Sequence, residues 1–321
     1  MADYFTPDPI WSSFQVKKQE DYIKKYVIKG NFHSGVHEDV IKSFKTVEYL
    51  MAHAYYHWEL YDQVLVKLLS IFEMAVKLRS KSLNNPLEYQ DRRGKTQTKT
   101  LVKLIDELKL FGYPPELIRD LHWLRLLRNM EAHPDRHSFA GAMKKRAVIP
   151  GLNIINRLFV DPSILTAQNE NNTALLKSKN TFSDEVFIHS YKGKNVLVHD
   201  LEFLANIDLN TGDCEYWKAS PVLTDTYKSF SGMKFSSPFI FFIQNVRIEN
   251  GNLSATDFHT NETITLNKTT SEVNLKMYQT HADAIEKLDQ TSKFALEASH
   301  RNYLNTHKEE FVYKNCWTKI K

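Results

Sequence analysis

An otherwise apolar segment is interrupted by three polar side chains that can bind a phosphate, at Arg125, Asn129 and His133. Successive members are four residues apart, so on a helix they share one face. Arg128 lies five residues before His133, and its long side chain can reach the imidazole from the flank. Because Pro134 disfavours the α conformation at His133, the helix is predicted to end there. A guanidinium offers a fixed charge and an imidazole transfers protons near neutral pH, so the run predicts a phosphate site.

Helices are predicted before and around this run, because apolar residues recur there at intervals of three and four. The predicted helices cover about 19–28, 38–51, 60–78, 100–111, 115–133 and 137–159. Pro150 and Gly151 are expected to kink or divide the last of them. Residues 88–98 are predicted to form a polar, basic loop. Helices joined by short loops favour an antiparallel bundle.

Short β-strands are predicted in the second half of the chain, beyond a change in composition. Residues 168–182 are rich in Asn, Thr, Ser and Lys and are predicted to be a linker. The predicted strands are 185–189, 195–199, 203–208, 215–218, 239–248 and 253–258. Turn signals such as Asn250-Gly251 separate them, as in an antiparallel sheet. A final helix over about 276–305 is expected to pack back on the strands or to pair with a partner.

The fold class predicted from these patterns is α+β, with an N-terminal antiparallel helical bundle followed by an antiparallel β-rich domain and a C-terminal helix. The expected boundaries are an N-terminal extension over 1–36, the bundle over 37–165 and the β-rich domain over 180–321. A chain of 321 residues has room for a sizeable core in each of two domains, and its hydrophobic content of 42% indicates a folded protein.

The cysteines and the hydropathy pattern indicate the cellular compartment in which the protein is expected. Cys214 and Cys316 are far apart and lack metal-ligand spacing, so they are predicted to be ordinary thiols in a reducing compartment. The N-terminus carries Asp3 and Asp8 and no long apolar core, which argues against a signal peptide. No stretch approaches the roughly 20 apolar residues of a membrane span. A cytoplasmic protein with no membrane partner is therefore expected.

Positive charge is concentrated in the half of the chain that contains the phosphate site. Residues 1–160 hold 25 Lys and Arg against 18 Asp and Glu, whereas residues 161–321 hold 17 against 20. This excess permits RNA as a partner, although only a clustered basic surface produces phosphate-driven binding. Arg92, Arg93 and Lys95 are candidates to contact RNA phosphates together with Arg125, and a solvated loop is the alternative for the first three.

Other polar constellations are weaker. The string Gly94-Lys95-Thr96 lacks the upstream glycine and preceding strand of a nucleotide-binding loop, which excludes that interpretation. His53 and His57 have the spacing of a ligand pair on a helix but no evident third ligand, so neither a metal site nor a cofactor is predicted. Trp123 is expected in the core or at a dimer interface rather than as a platform for base stacking.

The helical pattern around Arg128, Asn129 and His133 resembles the HEPN superfamily, whose signature is an Arg, usually followed by a polar residue, and a His four to six residues further on. The resemblance extends over the helix order from about residue 38 to 160, including a long second helix with Glu73 among its apolar residues. It does not cover residues 180–321.

Many HEPN proteins are metal-independent endoribonucleases that act as homodimers, with the motifs of both protomers in one cleft. By that resemblance, His133 is the general acid or base at the ribose 2′-hydroxyl or the leaving 5′-oxygen, and Arg128 stabilises charge on the phosphate. Asn129 orients His133 or the phosphate. The implied products are a 2′,3′-cyclic phosphate and a 5′-hydroxyl, and the implied setting is phage defence or a toxin system.

Two alternatives remain open at this point. Arg128 and His133 can instead cap the carbonyl groups at the end of their helix, where cations interact favourably with the helix dipole. The family resemblance is also compatible with a non-catalytic dimerisation or RNA-binding module whose β-rich domain binds a partner or senses a ligand. An open groove beside Arg128 and His133 would favour the catalytic interpretation.

Overall fold

The computed structural model describes residues 4–132, 145–180, 182, 185–191, 193–209, 212–223 and 237–317. The contacts divide the chain into two compact units. One comprises Met1–Ala167 together with Glu309–Lys321, and the other comprises Gln168–Lys308. The predicted order of N-terminal helices, an antiparallel β-structure and a C-terminal helix is confirmed. Among the described residues, no helix has both the length and the apolar character needed to cross a bilayer.

The first unit contains the predicted helices and a short first one that the sequence pattern does not predict; residues 137–144 of the last predicted helix lie outside the described residues. Their bounds are α1 Ile10–Ser13, α2 Gln19–Tyr26, α3 Glu38–His53, α4 Leu60–Ser82, α5 Leu101–Glu107, α6 Pro115–Ala132 and α7 Val148–Phe159. A single 3-10 turn at Leu108–Phe111 follows α5, and α8 spans Pro162–Lys179. The loop predicted over 88–98 is instead a small hairpin of β1 (Glu88–Gln90) and β2 (Thr96–Thr98).

Helix α4 lies at the centre of this unit and packs against α3, α5, α6 and α7. Its fully buried side chains include Leu68 and Phe72, and burial of each such side chain contributes roughly 1.5–3 kcal/mol. The N-terminal segment, predicted to be an extension, shares this core: Trp11 and Tyr22 are fully buried. The Trp11 indole donates to the Ala54 carbonyl at 3.1 Å, so the segment is tied to the end of α3.

Two features of the later helices differ from the sequence predictions. Pro150 does not kink α7 within its described length, because α7 begins at Val148 and Pro150 falls in the first turn, where no N–H donor is needed. The predicted linker is helical as far as Lys179. Its Ala, Leu, Gln and Glu residues are good helix formers, and they outweigh the Asn and Thr residues.

The second unit is built on a closed six-stranded antiparallel barrel. Its strands are β3 Val186–Tyr191, β4 Lys194–Leu209, β5 Gly212–Pro221, β6 Phe239–Glu249, β7 Asn252–Asp257 and β8 Thr263–Lys268. The predicted strands at 195–199 and 203–208 are one strand, β4, which has irregularities next to His199 and Phe203. The sequence did not predict β8, which pairs with β3 and closes the barrel.

Aromatic side chains fill the barrel, and helices follow it. Phe187, Phe203 and Trp217 are fully buried in its core. The predicted final helix is divided into α9 (Glu272–Glu286) and α10 (Gln290–Asn315). The division falls where Asp289 accepts hydrogen bonds from the backbone N–H and the hydroxyl of Ser292, as a helix cap does.

Candidate functional site

Helix α6 positions the candidate residues by burying its opposite face. Pro115 is its first residue, where the missing N–H costs nothing. Leu117, Leu121 and Leu124 are buried against the core of the unit, which fixes the rotation of the helix. Arg128 lies four residues after Leu124 but retains 39% side-chain exposure, so its charged end is at the surface.

Glu73 of α4 holds the Arg128 side chain in place. Nη2 of Arg128 lies 3.1 Å from Oε2 of Glu73, and Nζ of Lys77 donates to Oε1 of the same carboxylate at 2.7 Å. The hydrogen bond from Lys77, with a contribution from Arg128, lowers the pKa of Glu73 below its ordinary value despite partial burial. Two cations thus share one carboxylate, and the cluster carries a net positive charge.

Asn129 lies next to Arg128 at the surface. Nη1 of Arg128 donates to its Oδ1 at 3.5 Å, a long hydrogen bond. The structure therefore brings Arg128 and Asn129 together on the exposed side of α6. His133 lies outside the described residues, and the described part of α6 ends at Ala132.

Arg125 belongs to a different set of contacts. Its Nε donates to Nδ1 of His122 at 3.2 Å, and Nε2 of His122 lies 3.3 Å from Oδ1 of Asp106. The His122 ring thus lies between the Arg125 guanidinium and the Asp106 carboxylate of α5. Lys109 also donates to Asp106, at 2.9 Å. These contacts direct Arg125 towards α5 rather than towards Glu73.

A groove of about 430 Å³ is lined in part by Glu73, the partner of Arg128. Its walls are contributed by Glu73, Met74, Lys77 and Lys81 of α4 and by Leu87, which precedes the β1–β2 hairpin. The lining therefore combines two lysines and one glutamate with apolar side chains. Among the described residues, Arg128 contacts Glu73, which lines this groove, and Asn129.

Arg92, Arg93 and Lys95 lie at the turn of the β1–β2 hairpin, and all three are exposed. The structure does not bring them into contact with Arg128. Within the described residues, no acidic side chain forms an ion pair with any of them. They remain candidates for contacts with a polyanion outside the Arg128 cluster.

Glu73, Lys77 and Lys81 are not among the residues that the sequence pattern predicts for the candidate site. Glu73 was visible as a lone acid among apolar residues, and Lys77 follows it by four positions on the helix. That spacing is the available signal, because an acid and a base four residues apart share one helix face. The pairing of Glu73 with Arg128 bridges two helices and requires the tertiary structure.

An apolar strip is exposed on α6 beside the candidate residues. Trp123, Leu126 and Met130 have exposed fractions of 40%, 53% and 70%, and their spacing places them on one helix face. Trp123 is therefore outside the core in this chain. His53 and His57 do not share a helix, because α3 ends at His53.

We expect Glu73→Gln to weaken the link between α4 and α6. The pKa of Glu73 is lowered in the folded protein, so its contribution to stability is present above the ordinary carboxyl pKa of 4.5 and is lost as the pH falls through the lowered value. Because Arg128 is partly exposed, the loss at pH 7 should be about 0.5–1 kcal/mol. Urea unfolding of both proteins at pH 7 and pH 3 measures it, and a difference that stays the same at pH 3 would contradict this assignment.

Among the described residues, no group of three or more His, Cys, Asp and Glu side chains is arranged to hold a metal ion.

Comparison with known proteins does not assign the chain to a family. No family model matches the chain, and neither a curated protein nor a solved structure matches it significantly.

Proposed function

We propose that the protein is a metal-independent endoribonuclease of HEPN type that cleaves RNA by attack of the ribose 2′-hydroxyl. One observation carries this proposal: the Arg128 guanidinium is held at the surface, beside Asn129, by Glu73, and Glu73 lines a groove. A guanidinium in that position can exchange a carboxylate oxygen for a phosphate oxygen with little rearrangement. The Arg-Asn-x3-His spacing supplies the remaining support.

The proposed reaction uses two side chains of the motif directly. His133 accepts the proton of the 2′-hydroxyl, the 2′-oxygen attacks phosphorus, and the bond to the 5′-oxygen breaks as that oxygen takes a proton from water. Arg128 stabilises the additional negative charge on the pentavalent phosphorus. Asn129, in contact with Arg128, orients the guanidinium or the phosphate. The products are a 2′,3′-cyclic phosphate and a 5′-hydroxyl.

Glu73 acts as a positioning residue in this mechanism. It fixes the guanidinium from the side of α4, and Lys77 neutralises the carboxylate that would otherwise repel a phosphate. The net charge left for the substrate is positive. A rigid, preorganised cation stabilises a transition state better than a free side chain does.

A homodimer is the proposed active form, with α6 at the interface. The exposed strip of Trp123, Leu126 and Met130 lies on the helix that carries Arg128 and Asn129, so a two-fold contact there brings two motifs near each other. Large apolar side chains grouped on one exposed helix face are typical of an interface.

We expect Trp123→Asp to convert the dimer to a monomer, because a charge buried at an apolar contact without a partner is strongly unfavourable. Light scattering after size exclusion measures the mass. The matched control is Leu110→Asp, since Leu110 is 82% exposed and lies outside α6. A Trp123→Asp protein with the mass of the wild type would exclude this strip as the interface.

The direct test of the proposed function is cleavage of a defined RNA by the wild type and by His133→Ala, both in the presence of EDTA. We expect cleavage by the wild type only. Equal rates for the two proteins would refute the role of His133, and loss of activity in EDTA would refute the metal-independent mechanism.

A second candidate function is a non-catalytic dimerisation or RNA-binding module. It is favoured by the ion pair between Glu73 and Arg128, because this pair engages the guanidinium that would otherwise bind a phosphate. In that case, RNA binds without being cut, and Arg128→Ala weakens binding alone. In either case we propose that the β-barrel unit binds a regulatory partner or ligand, and that the protein serves in phage defence or as a toxin.

A further inference from the structure

The β1–β2 hairpin contributes little to the core of its unit. Every residue of β1 is exposed, and in β2 only Gln97 is half-buried. The hairpin is anchored at its base, where the Lys99 backbone N–H donates to the Leu87 carbonyl at 2.8 Å. The side chain of Lys99 is held as well: its Nζ lies 2.7 Å from Oε2 of Glu107. A hairpin with exposed strands that is anchored by hydrogen bonds at its base can bind a ligand, because few of its residues are needed for packing against the core.

The turn of the hairpin is preorganised and positively charged. The carboxylate of Asp91 accepts hydrogen bonds from the backbone N–H groups of Arg93 and Lys95, each at 2.9 Å. Gly94 follows with φ of +72°, a conformation that favours glycine. Asp91 is thus occupied by the backbone, and the side chains of Arg92, Arg93 and Lys95 project into solvent as cations.

The groove lined by Glu73, the partner of Arg128, also reaches Leu87 at the base of this hairpin. Glu73, Lys77 and Lys81 are four residues apart on α4, so they form one row that is about 12 Å long at 1.5 Å per residue. Leu87, at the base of the hairpin, lines the end of the groove beside Lys81. Lys81 is exposed and has no ion-pair partner within the described parts of the chain.

An aromatic side chain lies between the groove and the turn. Tyr89 of β1 is 39% exposed, and Nζ of Lys103 lies 3.6 Å from the centre of its ring. A ring with a cation on one face and solvent access elsewhere can stack on a base. Alternation of cations and exposed aromatic rings along a groove is how proteins bind single-stranded nucleic acids.

We propose that Lys81, Tyr89 and the hairpin turn bind the single-stranded RNA that flanks the scissile phosphate. This inference rests on the proposed function, because it takes Arg128 as the position of the scissile phosphate. It defines the substrate class as single-stranded RNA long enough to extend from Arg128 to the hairpin. In a duplex the bases are already stacked on one another and are not free for Tyr89.

The test measures binding separately from cleavage. A fluorescent 2′-O-methyl RNA dodecamer, which cannot react through its 2′-oxygens, is titrated with protein over a range of salt concentrations. The hairpin variant combines Arg92→Ala, Arg93→Ala and Lys95→Ala. Its matched control combines Lys17→Ala, Lys18→Ala and Lys24→Ala, which remove the same charge from exposed positions around α2.

We expect the hairpin variant to lower the slope of log affinity against log salt by about 2, since each phosphate contact to a single strand contributes roughly 0.7. The control should keep the wild-type slope. Tyr89→Leu should weaken binding about tenfold at unchanged slope, as expected for the loss of one stacked base. A hairpin variant that binds like its control, equal affinity for a duplex of the same length, or no binding by the wild type overturns the proposal.

The same proteins separate this inference from the proposed function. Cleavage of unmodified RNA that is lost in His133→Ala but unaffected by the hairpin variant refutes the flanking site and leaves the nuclease intact. Hairpin-dependent binding of the dodecamer without any cleavage of unmodified RNA refutes the nuclease and supports the binding site.

Discussion

Substitution of Arg128 by Ala is expected to reduce the rate of RNA cleavage by about 10²–10³-fold, the usual loss when one preorganised donor to a developing oxyanion is removed. The effect should fall on kcat more than on KM, because Arg128 is proposed to meet the additional charge that exists only in the transition state. Removal of Arg128 also releases Glu73, which leaves a carboxylate at the mouth of the groove with Lys77 as its remaining partner. Initial rates over a range of RNA concentrations separate the two parameters.

Two comparisons make this result specific. Arg128→Lys keeps the positive charge but loses the forked donors, so it should recover only part of the activity. Arg301→Ala removes the same charge from an exposed position in the other unit and should leave the rate within a factor of two of the wild type. If Arg128→Ala cleaves as fast as Arg301→Ala, the guanidinium has no role in the reaction.

The largest expected effect on stability comes from Trp217→Ala in the barrel. The Trp217 side chain is fully buried between Phe203 and Phe182, with ring centroids at 5.5 Å and 6.2 Å. Truncation of a buried Trp to Ala typically costs about 3–5 kcal/mol, because transfer free energy is lost and a cavity remains. Its indole N–H also donates to Glu215 at 2.9 Å, and that hydrogen bond is lost as well. Hydrogen exchange of the β4–β6 amides measures the change.

The control for the barrel substitution is Phe294→Ala on α10. Phe294 is a large apolar residue of the same unit but is 72% exposed, so its truncation should change stability by less than about 0.5 kcal/mol. A Trp217→Ala protein that keeps as much protection as Phe294→Ala would show that Trp217 does not support the closed barrel.

Much of the helical unit could be predicted from local pattern. The apolar spacing over 38–51 and 60–78 matches α3 and α4 because a helix that buries one face must repeat its apolar residues at that period. Boundaries with clear end signals were also predictable, such as Pro115 at the start of α6. Helix α8 was not, since its Asn and Thr residues resemble those of a linker although they are compatible with a helix.

The closure of the barrel cannot be predicted from local sequence patterns. Strand β8 is short and polar at both ends, and its pairing with β3 joins segments far apart in the sequence. An antiparallel domain could be predicted from alternation and turn residues, but whether its first and last strands meet depends on the twist and curvature accumulated over all six. The bulges in β4 that allow such curvature have no sequence signal as clear as a glycine turn.

Some features of the candidate site could be predicted from the sequence, and others depend on tertiary packing. The spacing predicts Arg125, Asn129 and His133 on one helix face with Arg128 on its flank, and the structure shows Arg128 in contact with Asn129. Spacing also suggested that Arg125 faces the same cluster, but His122 and Asp106 direct it towards α5. Glu73 was visible in the sequence, yet its function as the partner of Arg128 follows only from the packing of α4 on α6.

The most direct test of the central claim is the identity of the RNA ends that the wild-type protein produces in EDTA. We expect 2′,3′-cyclic phosphate and 5′-hydroxyl ends, together with complete resistance of the same RNA after 2′-O-methylation at the cleaved position. Ends with a 5′-phosphate, or cleavage of the 2′-O-methylated position, would contradict it.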